Sequence, residues 1–240
     1  MEFRFSGRQD IAFIVYQMGK VGSSTIQRSL KETYGSKWVL HTHDHETAKE
    51  YIEKWGTRCD ALIVITGFRE PLARCISAYF QNLTNPQNHW YVGKKKQVKD
   101  KSVEWLINDF NAKAVPHIQN RIGPWLQDYE RTIQQEMKDF PKEQGYQKAS
   151  SDNVHFYVYK LESMTKFYEA MSDDPHLSKL KLVNSNKSEE KWYVDLYREF
   201  KKEFLISKSD YDAIYGNIGF VRRFYDEDEL RNLTGQYLRD

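Results

Sequence analysis

Ile11-Ala12-Phe13-Ile14-Val15-Tyr16 runs straight into Gln17-Met18-Gly19-Lys20-Val21-Gly22-Ser23-Ser24-Thr25, and this passage decides the fold. The first six residues are apolar without alternation and rich in branched side chains, the pattern of a strand buried on both faces. The next nine contain two glycines, two serines and a threonine, after which Ile26, Leu30 and Thr33 repeat at helical spacing. Outward from there, Trp38-Val39-Leu40 reads as a second short strand ending in His41-Thr42-His43-Asp44-His45, and residues 46–55 read as a helix. Residues 61–66 (ALIVIT) repeat the buried-strand pattern and close on Gly67. Pro71 is suited to open the following helix, because its missing N–H costs nothing at the first helical position.

The remainder is less regular. Lys94, Lys95 and Lys96 begin a basic stretch reaching Lys101, expected as a surface loop. Residues 103–110 and 122–137 read as helices, the second interrupted early by Pro124, and residues 144–152 read as a polar loop. Residues 154–159 (VHFYVY) make a further strand, the last of the sheet. After Asn184-Ser185-Asn186-Lys187-Ser188 comes an amphipathic helix with Tyr193, Leu196, Tyr197, Phe200 and Phe204 on one stripe, then two short helical pieces. Strands alternating with helices predict an α/β fold, a P-loop-like parallel sheet flanked by helices. No linker or repeat divides the chain, so residues 1–240 are expected as a single domain with a helical C-terminal part. Ligands of such sheets bind beyond the carboxyl ends of the strands, where the loops after Tyr16, Leu40 and Thr66 lie.

Composition excludes several classes. With 15% aromatic residues and 29% charged residues of both signs, the chain is neither disordered nor fibrous. A formal net charge of +2 gives no general attraction to nucleic acid or anionic membrane, so a polyanion site must be local. Cys59 and Cys75 are too few for a disulfide scaffold. Residues 1–10 hold charge without an apolar signal core, and no apolar run approaches the ~20 residues of a membrane span. Read as a complete chain, it is expected in the cytoplasm.

A glycine turn between strand and helix is an anion site by construction: glycines bring backbone N–H groups close, and the helix start adds its dipole. Ser23, Ser24 and Thr25 supply hydroxyls, and Lys20 supplies a point charge. The ATP-binding pattern GxxxxGK[ST] needs lysine directly after its second glycine. Here Lys20 precedes Gly22 by two positions, Ser23 stands where that lysine would, and ALIVIT does not end in a magnesium-holding Asp. The bland alternative is a capped turn with a solvated lysine. In the second loop, Phe68-Arg69-Glu70-Pro71 leads into a helix on which Arg74, Ser77 and Gln81 share a polar face. An arginine fork with a nearby hydroxyl makes a phosphate clamp; a surface ion pair of Glu70 with Arg69 or Arg74 is the alternative.

The pairing of Q-M-G-K-V-G-S-S-T after one strand with F-R-E-P-L-A-R-C-I-S-A-Y-F after a later one resembles the sulfotransferases that use 3′-phosphoadenosine 5′-phosphosulfate (PAPS). It is most similar to carbohydrate sulfotransferases and to bacterial proteins of capsular polysaccharide synthesis, over roughly residues 11–83. The resemblance implies that Lys20, Gly22, Ser23, Ser24 and Thr25 hold the 5′-phosphosulfate. It also implies that Arg69 and Ser77 hold the 3′-phosphate, and that 3′-phosphoadenosine 5′-phosphate (PAP) is the product. Gly19 stands where the family has Pro. Tyr159-Lys160-Leu161-Glu162 and the loop from Asn184 to Ser188 resemble later family segments only loosely, with Lys181, Asn184, Asn186 and Lys187 expected to close over the nucleotide. Carbohydrate leads as acceptor on this resemblance alone.

His41, His43 and His45 alternate, so on an extended segment they would share one face, as metal ligands do; the metallohydrolase pattern HxHxDH nevertheless fails, since Asp44 and His45 come one residue early. An imidazole of pKa ~6.5 also suits removal of a hydroxyl proton. In heparan-sulfate 2-O-sulfotransferases, which the H-x-H segment resembles, the second histidine is that base. The resemblance thus points to His43 as base, His41 as its support, and little from His45, where the chain has turned into the next helix. The basic stretch with Lys99 and Lys101 would suit an acidic acceptor or simply be solvated, and Trp90, Tyr91, Trp105 and Trp125 would wall a sugar site or pack the core. The rivals are a P-loop nucleotide kinase or NTPase, a non-catalytic nucleotide- or glycan-binding module, and a zinc hydrolase built on the histidines.

Overall fold

The computed structural model describes residues 9–134, 140–183, 191–217 and 221–238. They form two compact units: Met1–Phe68 with Asp128–Asn186, and Arg69–Gln127 with Lys187–Asp240.

The first unit is α/β. Strands β1 (Gln9–Tyr16), β2 (Val39–Thr42), β3 (Cys59–Phe68), β4 (Tyr146–Ser151) and β5 (Val154–Lys160) form one sheet in the order β2-β1-β3-β5-β4. The first four in that order are parallel, with Ile14 opposite Leu40 and Val64, and Val64 opposite Phe156. β1 is buried from Ala12 to Tyr16 and β3 from Ala61 to Phe68, as their unbroken apolar runs require. Alternate residues serve opposite faces. Phe13, Val15, Ile63, Ile65, Tyr157 and Tyr159 meet Ile26 and Leu30 of α1 (Ser23–Tyr34) and Phe167 and Met171 of α7 (Met164–Ser172). The other face carries α2 (His45–Trp55) and the end of α6 (Val115–Ile133), where Tyr129 packs on Tyr16 and Phe68.

The sequence expectation of a parallel sheet needs one correction. Residues 144–152, read as a loop, contain β4, which pairs antiparallel with β5. Its residues YQKASS lie largely at the surface, so it is held by its backbone ladder and shows no hydrophobic signature. β5 is the last strand in sequence but lies inside the sheet.

The second unit, among the described residues, is helical: α3 (Pro71–Asn82), α4 (Lys95–Lys99), α5 (Val103–Lys113), the earlier turns of α6, α8 (Val194–Glu203), α9 (Lys208–Asn217), α10 (Val221–Phe224) and α11 (Glu227–Thr234). Its core is aromatic, with Phe80 on Phe200 at 5.1 Å and Phe110 on Phe204 at 5.2 Å between ring centroids. Lys94 to Lys101, expected as a loop, includes α4: Val98 is buried and the Gln97 side chain accepts from the Lys94 N–H at 2.7 Å. The helix expected over 122–137 is instead one helix from Val115 to Ile133 that keeps Pro124 inside it; residues 135–139 lie outside the described set. Trp90 is buried, whereas Tyr91 and Trp105 are exposed, with Lys101 Nζ 4.4 Å from the Trp105 ring centroid. No helix of the described residues is long and apolar enough to cross a membrane.

Candidate active site

The carboxyl end of β1 is fastened by more than its strand ladder. Thr66 Oγ1 donates to the Tyr16 carbonyl at 2.6 Å, and the Gly67 N–H donates to Gln17 Oε1 at 2.8 Å. Gln17 is fully buried, and its Nε2 has no hydrogen-bond partner among the described residues. Leaving such a donor unmet costs about 1–3 kcal/mol. The chain then turns sharply. Lys20 has φ 75° and Gly22 φ 87°, both left-handed, a conformation natural for glycine and costly for lysine. Gly22 is the N-cap of α1 and supplies no side-chain cap. α1 starts at Ser23, so the last three residues of the Gly/Ser stretch already belong to the helix; Ser23 is buried, Thr25 half-buried and Ser24 exposed.

Behind the turn, Tyr159 Oη donates to the Val21 carbonyl at 2.8 Å. Gly67 makes this possible: a Cβ there would lie 2.6 Å from Tyr159 Cζ and 2.9 Å from the Val21 oxygen. Further along α1, Ser29 Oγ donates to Thr25 O and accepts from the Val183 N–H, both at 2.8 Å. The chain is thus bound to α1 up to Val183. Of the residues expected to close over a nucleotide, Lys181 is exposed, and Asn184, Asn186 and Lys187 lie outside the described residues.

The histidines part company. His41 lies in β2, His43 in the following turn, and His45 opens α2, so the single extended face expected for them does not form. Asp44 between them caps α2, its Oδ1 accepting from the Thr47 N–H at 2.8 Å and from Thr47 Oγ1 at 2.6 Å, which holds its carboxyl below the usual range. His41 and His43 meet edge to face at 4.8 Å between centroids. Nε2 of His41 is buried without a hydrogen-bond partner among the described residues, and burial, aided by His43 and Lys31, lowers its pKa to about 4. His41 is therefore neutral and a poor proton acceptor. His43 is exposed, and its Nδ1 lies 2.5 Å from the Gln17 carbonyl. A carbonyl only accepts, so Nδ1 carries the proton and Nε2 is left as the basic nitrogen. Among the described residues no three His, Cys, Asp or Glu side chains come together as metal ligands.

In the second unit, Arg69 and Ser77 are both half-buried. Glu70 between strand and helix is buried and caps α3, accepting from the Leu72 and Ala73 N–H groups at 2.7 Å each and from the Tyr215 hydroxyl. It is a helix cap first, a role the sequence reading had not given it. Arg69 has cationic company: burial and then the charges of Arg69 and Arg198 push the Lys201 ammonium below its ordinary pKa. Arg198 and Lys201 both lie on α8, whose sequence reads as an ordinary amphipathic surface helix. Gln17 was missed because nothing in the sequence marks an amide whose donor will be buried. Compared with protein-family models, with curated proteins and with solved structures, the chain matches none.

Proposed function

We propose that this chain is a P-loop-like sulfotransferase that moves the sulfuryl group of PAPS to an acceptor hydroxyl, with a saccharide the leading acceptor class. One observation supports the reading: the carbonyl of Gln17, the residue that opens the glycine turn, accepts from His43 Nδ1, so the candidate base and the candidate anion turn share one strand end. In the reaction the acceptor oxygen attacks sulfur while His43 Nε2 takes its proton, and the bond from sulfur to the bridging oxygen breaks to release PAP. The Ser23, Ser24 and Thr25 amides and hydroxyls would hold the 5′-phosphosulfate, and Lys20 would offset the charge that grows on the bridging oxygen. The Gln17 amide adds one more donor. Arg69 and Ser77 take the 3′-phosphate role, and the charges of Arg69 and Arg198 that both bear on Lys201 make a cationic neighbourhood suited to a doubly charged group.

Calorimetry without Mg²⁺ tests the reading. PAP is expected to bind far more tightly than AMP, ATP or GTP. Arg69→Ala and Ser77→Ala should each cost roughly 1.5–3 kcal/mol of PAP binding, the worth of a charge-assisted bond, and leave AMP binding unchanged. Equal affinity of the unaltered protein for AMP and PAP overturns the assignment, and a preference for ATP with Mg²⁺ would instead favour a nucleotide kinase or NTPase.

A further inference from the structure

Two residues past His43, the ring of His45 is held on both sides by groups of the same unit. Tyr16, the last residue of β1 and fully buried, bonds through its hydroxyl to His45 Nδ1. On the other side, His45 Nε2 lies 3.7 Å from Asp128 Oδ2. Asp128 is steadied in turn by Arg131, whose Nη1 is 2.9 Å from Oδ1, and its carbonyl accepts from Thr132 Oγ1 at 2.7 Å. The Tyr16 ring meets His45 edge to face at 5.5 Å and rests against Tyr129 at 5.2 Å. At that separation Asp128 acts on the imidazole as a nearby charge and not as a hydrogen-bond acceptor, so the ring is held by the Tyr16 hydroxyl at Nδ1 and by the Asp128 charge on its Nε2 side. Burial, with help from Arg131 and against the opposing charges of Asp128 and Glu46, holds its pKa below the ordinary imidazole value.

His43 has its Nδ1–H on the Gln17 carbonyl. Tyr16 and Gln17 are consecutive at the end of β1, and His43 and His45 flank Asp44, the cap of α2. One turn is thus gripped at two points by one strand end. We propose that His45 is a positioning residue: clamped between Tyr16 and Asp128, it fixes this turn so that His43 keeps its proton on Nδ1 and offers Nε2. A free imidazole favours the proton on Nε2, so without the clamp His43 reverts toward the form that cannot act as a base. The tautomer follows from geometry alone; its effect on turnover rests on the sulfotransferase reading. The sequence expectation that His45 contributes little changes accordingly.

Long-range ¹H–¹⁵N spectra of the imidazoles, taken at pH 7.5 without donor, test the proposal in the unaltered protein, Tyr16→Phe, His45→Ala and His45→Asn. The Asn oxygen can stand where Nδ1 stood and accept from Tyr16. The unaltered protein and His45→Asn should show His43 protonated on Nδ1, whereas Tyr16→Phe and His45→Ala should shift it toward Nε2. With saturating PAPS, the latter two should lose about tenfold in turnover, the scale of a misplaced catalytic group, while PAP affinity stays within about twofold and His45→Asn recovers turnover. Tyr16→Phe keeps the buried ring, so it remains readable if His45→Ala does not fold. A protein that binds no PAP yet shifts His43 in these variants supports the positioning and overturns only the sulfotransferase reading. His43 still protonated on Nδ1 in Tyr16→Phe overturns the positioning whatever the activity.

Discussion

His41 and His43 touch, yet their surroundings separate their chemistry. His43 is exposed with its Nδ1 engaged, so its Nε2 can exchange protons with solvent or substrate. His41 is pressed into the first unit and stays neutral until about pH 4. The pair therefore gives one prediction with two readouts. His43→Ala should lower turnover by roughly 10²–10⁴ with PAP binding intact, the usual effect of losing a general base, and His41→Gln should lower it far less. Stability should behave the other way round. The unfolded chain takes up a proton at His41 near pH 6.5 and the folded chain only near 4, so this residue's contribution is present above pH 6.5 and is lost as pH falls toward 4. Melting temperature between pH 7 and 4.5 should therefore fall less steeply in His41→Gln, whereas a slope equal to that of the unaltered protein would deny His41 this role. Lys20, Gly22 and the serines were legible in sequence because glycine and hydroxyl residues between strand and helix mean an anion turn by local rules. The free amide of Gln17 and the grip on His45 were not, since both depend on partners brought from β3, α2 and α6.

At the scale of elements, hydrophobic content decided what could be read. β1 and β3 are buried on both faces and announced themselves as unbroken apolar runs, and α3 started at Pro71 as expected. β4 and α4 did not, because one is a polar edge strand and the other a short basic helix anchored by little more than Val98. The tightest fit between elements lies where β3 ends. Gly67 gives the Tyr159 ring its path to the Val21 carbonyl, and a methyl group there would press on both the ring and that oxygen. Gly67→Ala is expected to destabilise the protein by about 1–3 kcal/mol, the usual cost of overpacking a core. It should also loosen the glycine turn, weakening PAP binding. Tyr159→Phe, which loses only the bond, should cost about 1 kcal/mol in urea denaturation. An unchanged midpoint in Gly67→Ala would mean that Tyr159 has room to yield.

For the whole molecule, the arresting fact is that neither unit is a continuous stretch of chain: each takes one early and one late segment. A fragment of residues 1–127 would contain β1, β2 and β3 but lack β5, leaving the β3 backbone edge open. Such a fragment should show no cooperative unfolding transition by circular dichroism and should aggregate, and a sharp urea transition from it would contradict the dependence of this sheet on its late strands. The position of β5 also has a consequence during synthesis. Leu62 pairs with Val154, roughly ninety residues later, and at 5–20 residues per second the ribosome needs about 5–20 s to deliver that partner. Throughout that interval the nascent chain displays ALIVIT with an unpaired edge. This strand is therefore where a holding chaperone would act first, and where faster translation downstream should raise the yield of soluble protein.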